Sequence, residues 1–333
     1  MPYSKPFREL KDLVLELETL GMEVPAKSEA ESFLRKVGYY RSGGYRYVLR
    51  ELLPEGERDP ASRTFRKETY LAGSSFSHVQ ELEKFDSRLR EVCLAGLWDF
   101  EMRVRAALAH VLARRDVFAH TDVQHLDQSE ALKTSGGQTK FEAWEKTFKS
   151  AIRDSAQEDF VAHLLVKYGH PLPIWAVVDV LSFGSLPYLY EIAQRSDRLE
   201  VANAFGVTQD RLFRAWLRSM VDFRNYCAHG SRLFNRHFKR DVRIVPGAID
   251  LSLLGHLTVP DYSPSERPLS RLYVNAALLA YLLRNHASGS GWHLSFRTQI
   301  RKHPVIQLGP EPLVQPASNM GFPLGWDAMD LWS

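Results

Sequence analysis

From about Ser77 to Arg115 the chain holds neither a proline nor a cluster of turn residues, and Val79, Leu82, Phe85, Leu89, Val92, Leu97 and Val104 recur at helical spacing. Apolar residues three and four apart fall on one face of an α-helix, so the stretch predicts one long helix, or two with a break near Gly96. No other feature constrains the fold as strongly, because helix is the regular element that this spacing and this lack of breakers favour.

The flanking sequence reads the same way. Leu10, Leu13, Val14 and Leu17 before Gly21 predict an amphipathic helix, and Ser28 with Glu31 forms a capping-box pattern for a second that Gly38 ends. In YYRSGGYRYVLREL, Gly43 and Gly44 are expected to break any regular element, and the tyrosines to form a core corner. Residues 54–73 suit an exposed loop carrying a short strand, and 133–140 a polar linker. Helices are expected over about 141–168, 174–183, 186–194, 199–205, 209–229 and 270–285. Residues 244–267 read as short strands or irregular chain, and the tail after Gly309 has too many prolines for regular structure. No repeat of fixed period occurs. The fold class is therefore mainly α, with irregular or short-strand insertions. The expected organisation is an N-terminal helical half (1–130), a second helical half (141–290) and a C-terminal extension (291–333), packed as one composite domain.

Composition excludes several classes. With 44% hydrophobic and 25% charged residues among 333, the chain is neither collagenous nor disordered. Its two cysteines, Cys93 and Cys227, lie far apart without a CxxC, which excludes a disulfide framework, argues against structural zinc and suits a reducing compartment. The first residues thread charges through apolar positions, unlike a signal peptide, and no window reaches the roughly 18 apolar residues of a membrane span. A cytoplasmic protein without membrane contact is expected.

The formal net charge of +3 predicts no partner, but its distribution does. Residues 211–243 carry nine basic side chains against Asp222 and Asp241, with aromatics interleaved. Such a segment is an electrostatic footprint for phosphate. The preference for Arg over Lys suits a planar fork for phosphate, although a GC-rich genome gives the same bias.

Within that segment Arg224-Asn225-Tyr226-Cys227-Ala228-His229-Gly230 lies where a predicted helix ends. An imidazole can take a proton from a ribose 2′-OH or give one to a leaving 5′-oxygen, and a guanidinium can stabilise the charge that builds on phosphorus. The bare Arg-x4-His spacing carries little, since chance gives roughly one in this composition and the chain has four: Arg105/His110, Arg115/His120, Arg224/His229 and Arg232/His237. Requiring Asn directly after Arg lowers the chance expectation to roughly 0.02, and Arg224-Asn225 alone meets it. The structural alternative is a helix C-terminus at which His229 meets the dipole and Arg224 makes a surface ion pair. For Arg105/His110, among Ala106, Ala107 and Ala109, a packing face is the simpler account. Nucleotide-binding GxxxxGK[ST] and GxGxxG, hydrolase GxSxG and clustered metal-ligand spacings are missing. No cofactor and no metal are expected.

KPF (5–7), GYYRSGGYRY (38–47), FDSRLR (85–90), the Glu101–Arg105–His110 stretch, PIW (173–175), LSFGSLPYLY (181–190) and RNYCAHGSRLFNR (224–236) occur in order. In this the chain resembles bacterial abortive infection proteins of the AbiD/AbiF type, of the HEPN superfamily of helical, often RNA-cleaving domains. The resemblance implies a HEPN-like helical bundle in phage defence and a metal-independent endoribonuclease that leaves a cyclic phosphate. It places RNxxxH on Arg224, Asn225 and His229. Similarity to the paired HEPN domains of type VI CRISPR effectors implies a composite site, with Arg105 and His110 as a second half, and a homodimer. Phe234 stands where the family has Trp, a change of packing more than of chemistry. RNA is the expected partner, as substrate or as a structured small regulatory RNA of a toxin–antitoxin pair. Arg211, Arg214, Arg218, Arg232, Arg236, Lys239 and Arg240 are the candidate RNA-binding residues. Two other readings stay open: a non-catalytic RNA-binding module, and a helical protein whose basic helix binds an acidic partner protein.

Overall fold

A computed structural model describes residues 6–59, 61, 65–258 and 268–333. In chain order it has α1 (Leu10–Thr19), α2 (Lys27–Val37), α3 (Tyr39–Arg46), β1 (Arg50–Leu52), β2 (Arg66–Tyr70), α4 (Phe76–Arg115), α5 (Gln128–Ala131), β3 (Thr134–Ser135) and β4 (Gln138–Thr139). There follow α6 (Lys140–Asp154), α7 (Asp159–Tyr168), α8 (Ile174–Val180), α9 (Leu186–Ile192), α10 (Arg195–Ala204), α11 (Asp210–Ala228), α12 (Leu251–Leu254), α13 (Leu272–Asn285), α14 (Trp292–Ile300) and α15 (Pro316–Met320). The fold is mainly α, and both small sheets are antiparallel two-stranded pairs, β1 with β2 and β3 with β4.

The long helix is unbroken. Its 40 residues make α4 about 60 Å long at 1.5 Å per residue, and α3, α8, α10, α11, α13 and α14 all pack on it. Gly96 is buried and causes no break: a Cβ there would lie 2.5–2.6 Å from the Trp292 indole, so the glycine admits that ring, whose Nε1–H donates to the Val92 carbonyl at 2.7 Å. Beside α4, α13 is buried on every face from Leu272 to Leu283, as expected of a helix apolar all round.

Several local expectations are corrected. Gly43 and Gly44 do not break the chain but lie inside α3, where a Cβ on Gly44 would come within 2.9 Å of the Arg232 guanidinium. Close approach is the reason for glycine here, and the helix absorbs its low propensity. The tyrosine corner divides: Tyr45 is fully buried, whereas Tyr40 is exposed. Ser28 caps nothing, because α2 starts from Ala26; capping boxes occur instead at Ser75 with His78 and at Thr139 with Glu142.

The single helix expected over 141–168 is two helices, α6 and α7. Trp144, Phe148 and Ile152 form the buried stripe of α6, but Val161, the next buried residue, lies nine positions beyond Ile152. At 100° per residue a continuous helix would turn Val161 to the opposite side, so the chain breaks at Ser155 to bring it back to the core. The polar linker contains the β3–β4 hairpin turned by Gly136 and Gly137. Residues 246–258 form 3₁₀ turns and α12 rather than strands, and the remainder of that segment, 259–267, lies outside the described residues. The proline-rich tail is part of the core: Trp326 and Trp332 pack with Tyr273, Phe296 and Phe322.

The two cysteines, distant in sequence, are neighbours across α4 and α11. Both are buried and free, burial pushes the Cys93 thiol well up, and Cys227 is its hydrogen-bond partner. Among the described residues no helix is long and apolar enough to cross a membrane.

Candidate active site

The site is built around α11. Leu212, Phe213, Trp216, Leu217, Met220, Phe223 and Cys227 recur every three or four residues and are buried, which leaves the opposite face to polar side chains. Arg211, Arg214, Arg218, Asn225 and His229 fall within an arc of about 60° on that outer face, counted at 100° per residue. Arg224 is turned about 140° from His229.

The end of α11 is a Schellman turn. The N–H of Ser231 donates to the Tyr226 carbonyl at 2.8 Å and that of Gly230 to the Cys227 carbonyl at 3.0 Å, with Gly230 at φ 61°. His229 is the C-cap residue, exposed, and its ring makes no hydrogen bond or ion pair among the described residues. From α3, Arg41 donates to the Gly230 carbonyl, which ties the turn to the rest of the molecule.

A buried carboxylate holds the chain beyond this turn. Asp86 of α4, with no exposed surface, accepts the backbone N–H of Phe234 at 2.8 Å and of Leu233 at 3.1 Å, the Tyr45 hydroxyl at 2.7 Å and a guanidinium N–H of Arg90. Burial raises the Asp86 pKa, and Arg90, Tyr45 and the two backbone donors oppose that rise. Asn235 turns the chain with φ 48°.

Arg224 faces inward to α4. Its Nε lies 3.5 Å from Glu101 Oε2, its guanidinium carbon is 5.5 Å from the centre of the Phe183 ring, and it donates to Asn225 Oδ1 at 3.1 Å. A cleft of about 520 Å³ opens beside it, walled by Leu94, Ala95, Glu101 and Trp98, whose indole is 64% exposed. The other carboxylate oxygen of Glu101 pairs with Arg105. Arg105 is itself buried and also donates to the Val178 carbonyl and, at 2.7 Å, to that of Leu181.

The predicted residues are therefore only partly assembled. Arg224 and Asn225 touch, and His229 stands one turn further, on the face of Asn225 and turned away from Arg224. Arg105 and His110 do not meet: Arg105 braces α4 to the end of α8, and His110 is exposed. Of the seven candidate RNA-binding residues, Arg232 is half-buried and turned inward, donating to the Gly44 carbonyl with its pKa lowered by burial, and Arg236 stacks 4.4 Å over the Tyr226 ring. Arg211, Lys239 and Arg240 are exposed, Arg240 on Asp222 at 2.7 Å, while Arg214 and Arg218 are half-buried and share Glu191 at 2.8 and 2.6 Å. Sequence reasoning gave no role to Glu101, Asp86, Arg41 or Glu191. The spacings Asp86/Arg90 and Glu101/Arg105 were the available signal, but acid–base pairs four apart usually mark solvated helix faces. Among the described residues no group of three or more His, Cys, Asp or Glu is placed to hold a metal ion.

Fold and site together define a mainly α-helical protein whose basic helix ends on an exposed imidazole. The chain belongs to the Abi-like protein family, whose model matches residues 32–235. That match runs from α2 to Asn235, so it contains α4, the Arg224–His229 motif and the turn held by Asp86, and it places the protein with abortive infection, a form of phage defence. No curated protein and no solved structure matches the chain.

Proposed function

We propose that this protein is an abortive-infection endoribonuclease of the AbiD/AbiF type, with a HEPN-like bundle, acting in the cytoplasm on RNA. The observation that carries the reading is the exposed His229 imidazole at the end of a helix face laid with Arg211, Arg214 and Arg218. In the step it would serve, the ring accepts the proton of a ribose 2′-OH, the 2′-oxygen bonds to phosphorus and the P–O5′ bond breaks. The imidazolium so formed gives its proton to the departing 5′-oxygen, which leaves as a 5′-hydroxyl, and a cyclic 2′,3′-phosphate remains. Arg224 supplies the positive charge for the phosphorane, and Asn225 fixes the guanidinium through its 3.1 Å hydrogen bond. Because Arg224 and His229 diverge within one chain, two copies complete the site in this reading, each giving its α11 end to a homodimer. Arg105 stays a brace and takes no part.

The test is induced expression of wild type, Arg224→Ala and His229→Ala, followed by growth and total-RNA integrity. Arrest with fragmented RNA in wild type alone is expected, and light scattering on the purified protein is expected to give a dimer mass. RNA fragmented equally by His229→Ala would end the nuclease reading.

The divergence of Arg224 from His229 also favours a second reading, a module that holds a structured small RNA without turnover. It predicts a high 260/280 nm absorbance ratio that survives a salt wash and the His229→Ala change. Protein free of nucleic acid from cells would count against it.

A further inference from the structure

Five arginines converge on one small concavity on the flank of α11. Arg211, Arg214 and Arg218 line it from the helix, Arg240 and Arg243 from the segment after it, and Asp241 is the acidic residue among them. The small residues Ala215 and Ser219 leave the space open between the two rows. The second row is fixed in place, since the buried Trp216 donates its Nε1–H to the Arg243 carbonyl at 2.9 Å.

Among the described residues the charge here is not balanced. Arg214 and Arg218 share Glu191 with Lys140, which Glu130 also holds at 2.9 Å, so the two arginines have one carboxylate between them, and Arg240 has Asp222. The side chains of Arg211 and Arg243 make no ion pair or hydrogen bond among the described residues. Guanidiniums held together in this way repel one another, and an anion placed between them removes that cost. Planar forks match the oxygens of phosphate in bidentate pairs. The volume of about 230 Å³ equals that of roughly eight waters in the liquid, room for a phosphate with part of its sugar rather than for a run of nucleotides. A phosphomonoester brings about −1.5 to −2 charges and three free oxygens, which fits a five-arginine pocket better than a diester with one charge and two free oxygens.

We infer that this pocket is a phosphomonoester site, which receives the terminal phosphate of an RNA strand whose chain runs along α11 toward His229. Naming RNA as the carrier rests on the function proposed above; the pocket's chemistry does not. Arg211 and His229 share a face about 27 Å apart at 1.5 Å per residue, the length of roughly eight stacked nucleotides at about 3.4 Å each. The pocket would thereby set the distance from a strand end to the bond presented at His229.

The experiment uses the full-length protein carrying His229→Ala, so that no strand is cut, and fluorescence anisotropy of an internally labelled ten-nucleotide single strand. The strand is made with a 5′-phosphate, a 3′-phosphate or hydroxyl ends, and adenosine monophosphate is the competitor. One phosphorylated form is expected to bind at least tenfold tighter than the hydroxyl form. Arg243→Gln, which lies off the basic face of α11, is checked for unchanged melting and is expected to remove that preference while leaving the hydroxyl form's affinity within about twofold; Arg211→Gln is expected to remove the preference and, as part of that face, to weaken the hydroxyl form as well. Equal binding of all three strands, or an Arg243→Gln change that weakens them all alike, overturns the inference, because then the pocket acts only as backbone attraction. If no strand binds but adenosine monophosphate does, in an arginine-dependent way, the phosphomonoester site stands, its source is a free nucleotide and the RNA reading fails. A preference for phosphorylated ends together with intact RNA in cells leaves the inference standing without the nuclease.

Discussion

Asp86→Asn tests how the turn after the helix end is held. The substitution keeps the side chain's shape and one acceptor oxygen for the Leu233 and Phe234 N–H groups, but it removes the charge that faces buried Arg90. Asp86 has no exposed surface and the Arg90 side chain is 8% exposed, so water does not replace the lost partner. Removing one member of a buried pair costs about 3–5 kcal/mol. Glu83, 3.4 Å from the other arm of Arg90, offsets part of this, and the lower end, about 3 kcal/mol, is the expected loss. For a chain of 333 residues, whose unfolding entropy at about 2.1 cal/mol/K per residue gives about 1.4 °C per kcal/mol, that is a drop of roughly 4 °C in the melting temperature. Thermal melting by circular dichroism reads the stability, and limited proteolysis near Arg232 and Arg236 reads release of the turn. Asp86→Asn/Arg90→Gln should melt above the sum of its single changes, because the pair is coupled. Melting of Asp86→Asn within 1 °C of wild type, with no new cleavage, would refute the claim that this carboxylate holds the turn.

Other residues give further expected outcomes. Gly96→Ala should lose about 1–3 kcal/mol by overpacking, since its Cβ would sit 2.5 Å from the Trp292 ring, and Trp292→Leu in the same chain should restore part of it; a neutral Gly96→Ala would show that the indole moves freely. Arg105→Lys should lower stability by about 2 kcal/mol, because one ammonium cannot serve Glu101, Val178 and Leu181 together; an unchanged melt contradicts the bracing role. His120 is fully buried with neither ring nitrogen hydrogen-bonded among the described residues, and burial lowers its pKa to about 4. The unfolded chain takes up that proton first, near pH 6.5, so the contribution is whole above that pH and falls away between 6.5 and about 4. His120→Phe should accordingly lose about 2 kcal/mol less than wild type between pH 7.5 and pH 5, and melting curves with the same slope against pH in both would disprove it.

Much of the helical organisation was legible from spacing alone. The apolar period from Val79 to Val104 gave α4, and those of α1, α11 and α13 were as plain, because a core-facing stripe writes itself locally into the chain. Elements that depend on distant partners were not legible. Gly43 and Gly44 look like breakers until Arg232, far along the chain, arrives where a side chain on Gly44 would be. The break between α6 and α7 depends on which face of each helix meets the core. At the candidate site, spacing and composition singled out Arg224, Asn225 and His229, of which the structure brings Arg224 and Asn225 into contact and leaves the His229 imidazole exposed. They also put Arg232 on the surface, whereas a run of basic residues carries no mark of which one turns inward.

By itself, then, the sequence determined the helical character, the basic face of α11 and the residue types gathered at its end, since each arises from periodicity within a few turns of chain. Tertiary structure alone decided that the buried Arg105 and the half-buried Arg232 turn inward as braces, that Cys93 and Cys227 are neighbours, that the tryptophan-rich tail completes the core and that five arginines share one pocket. The physical reason is common to all four. Burial and pairing are relations between segments remote in the chain, and the free energy that selects them comes from surfaces that exist only once α4 has gathered the other helices around it.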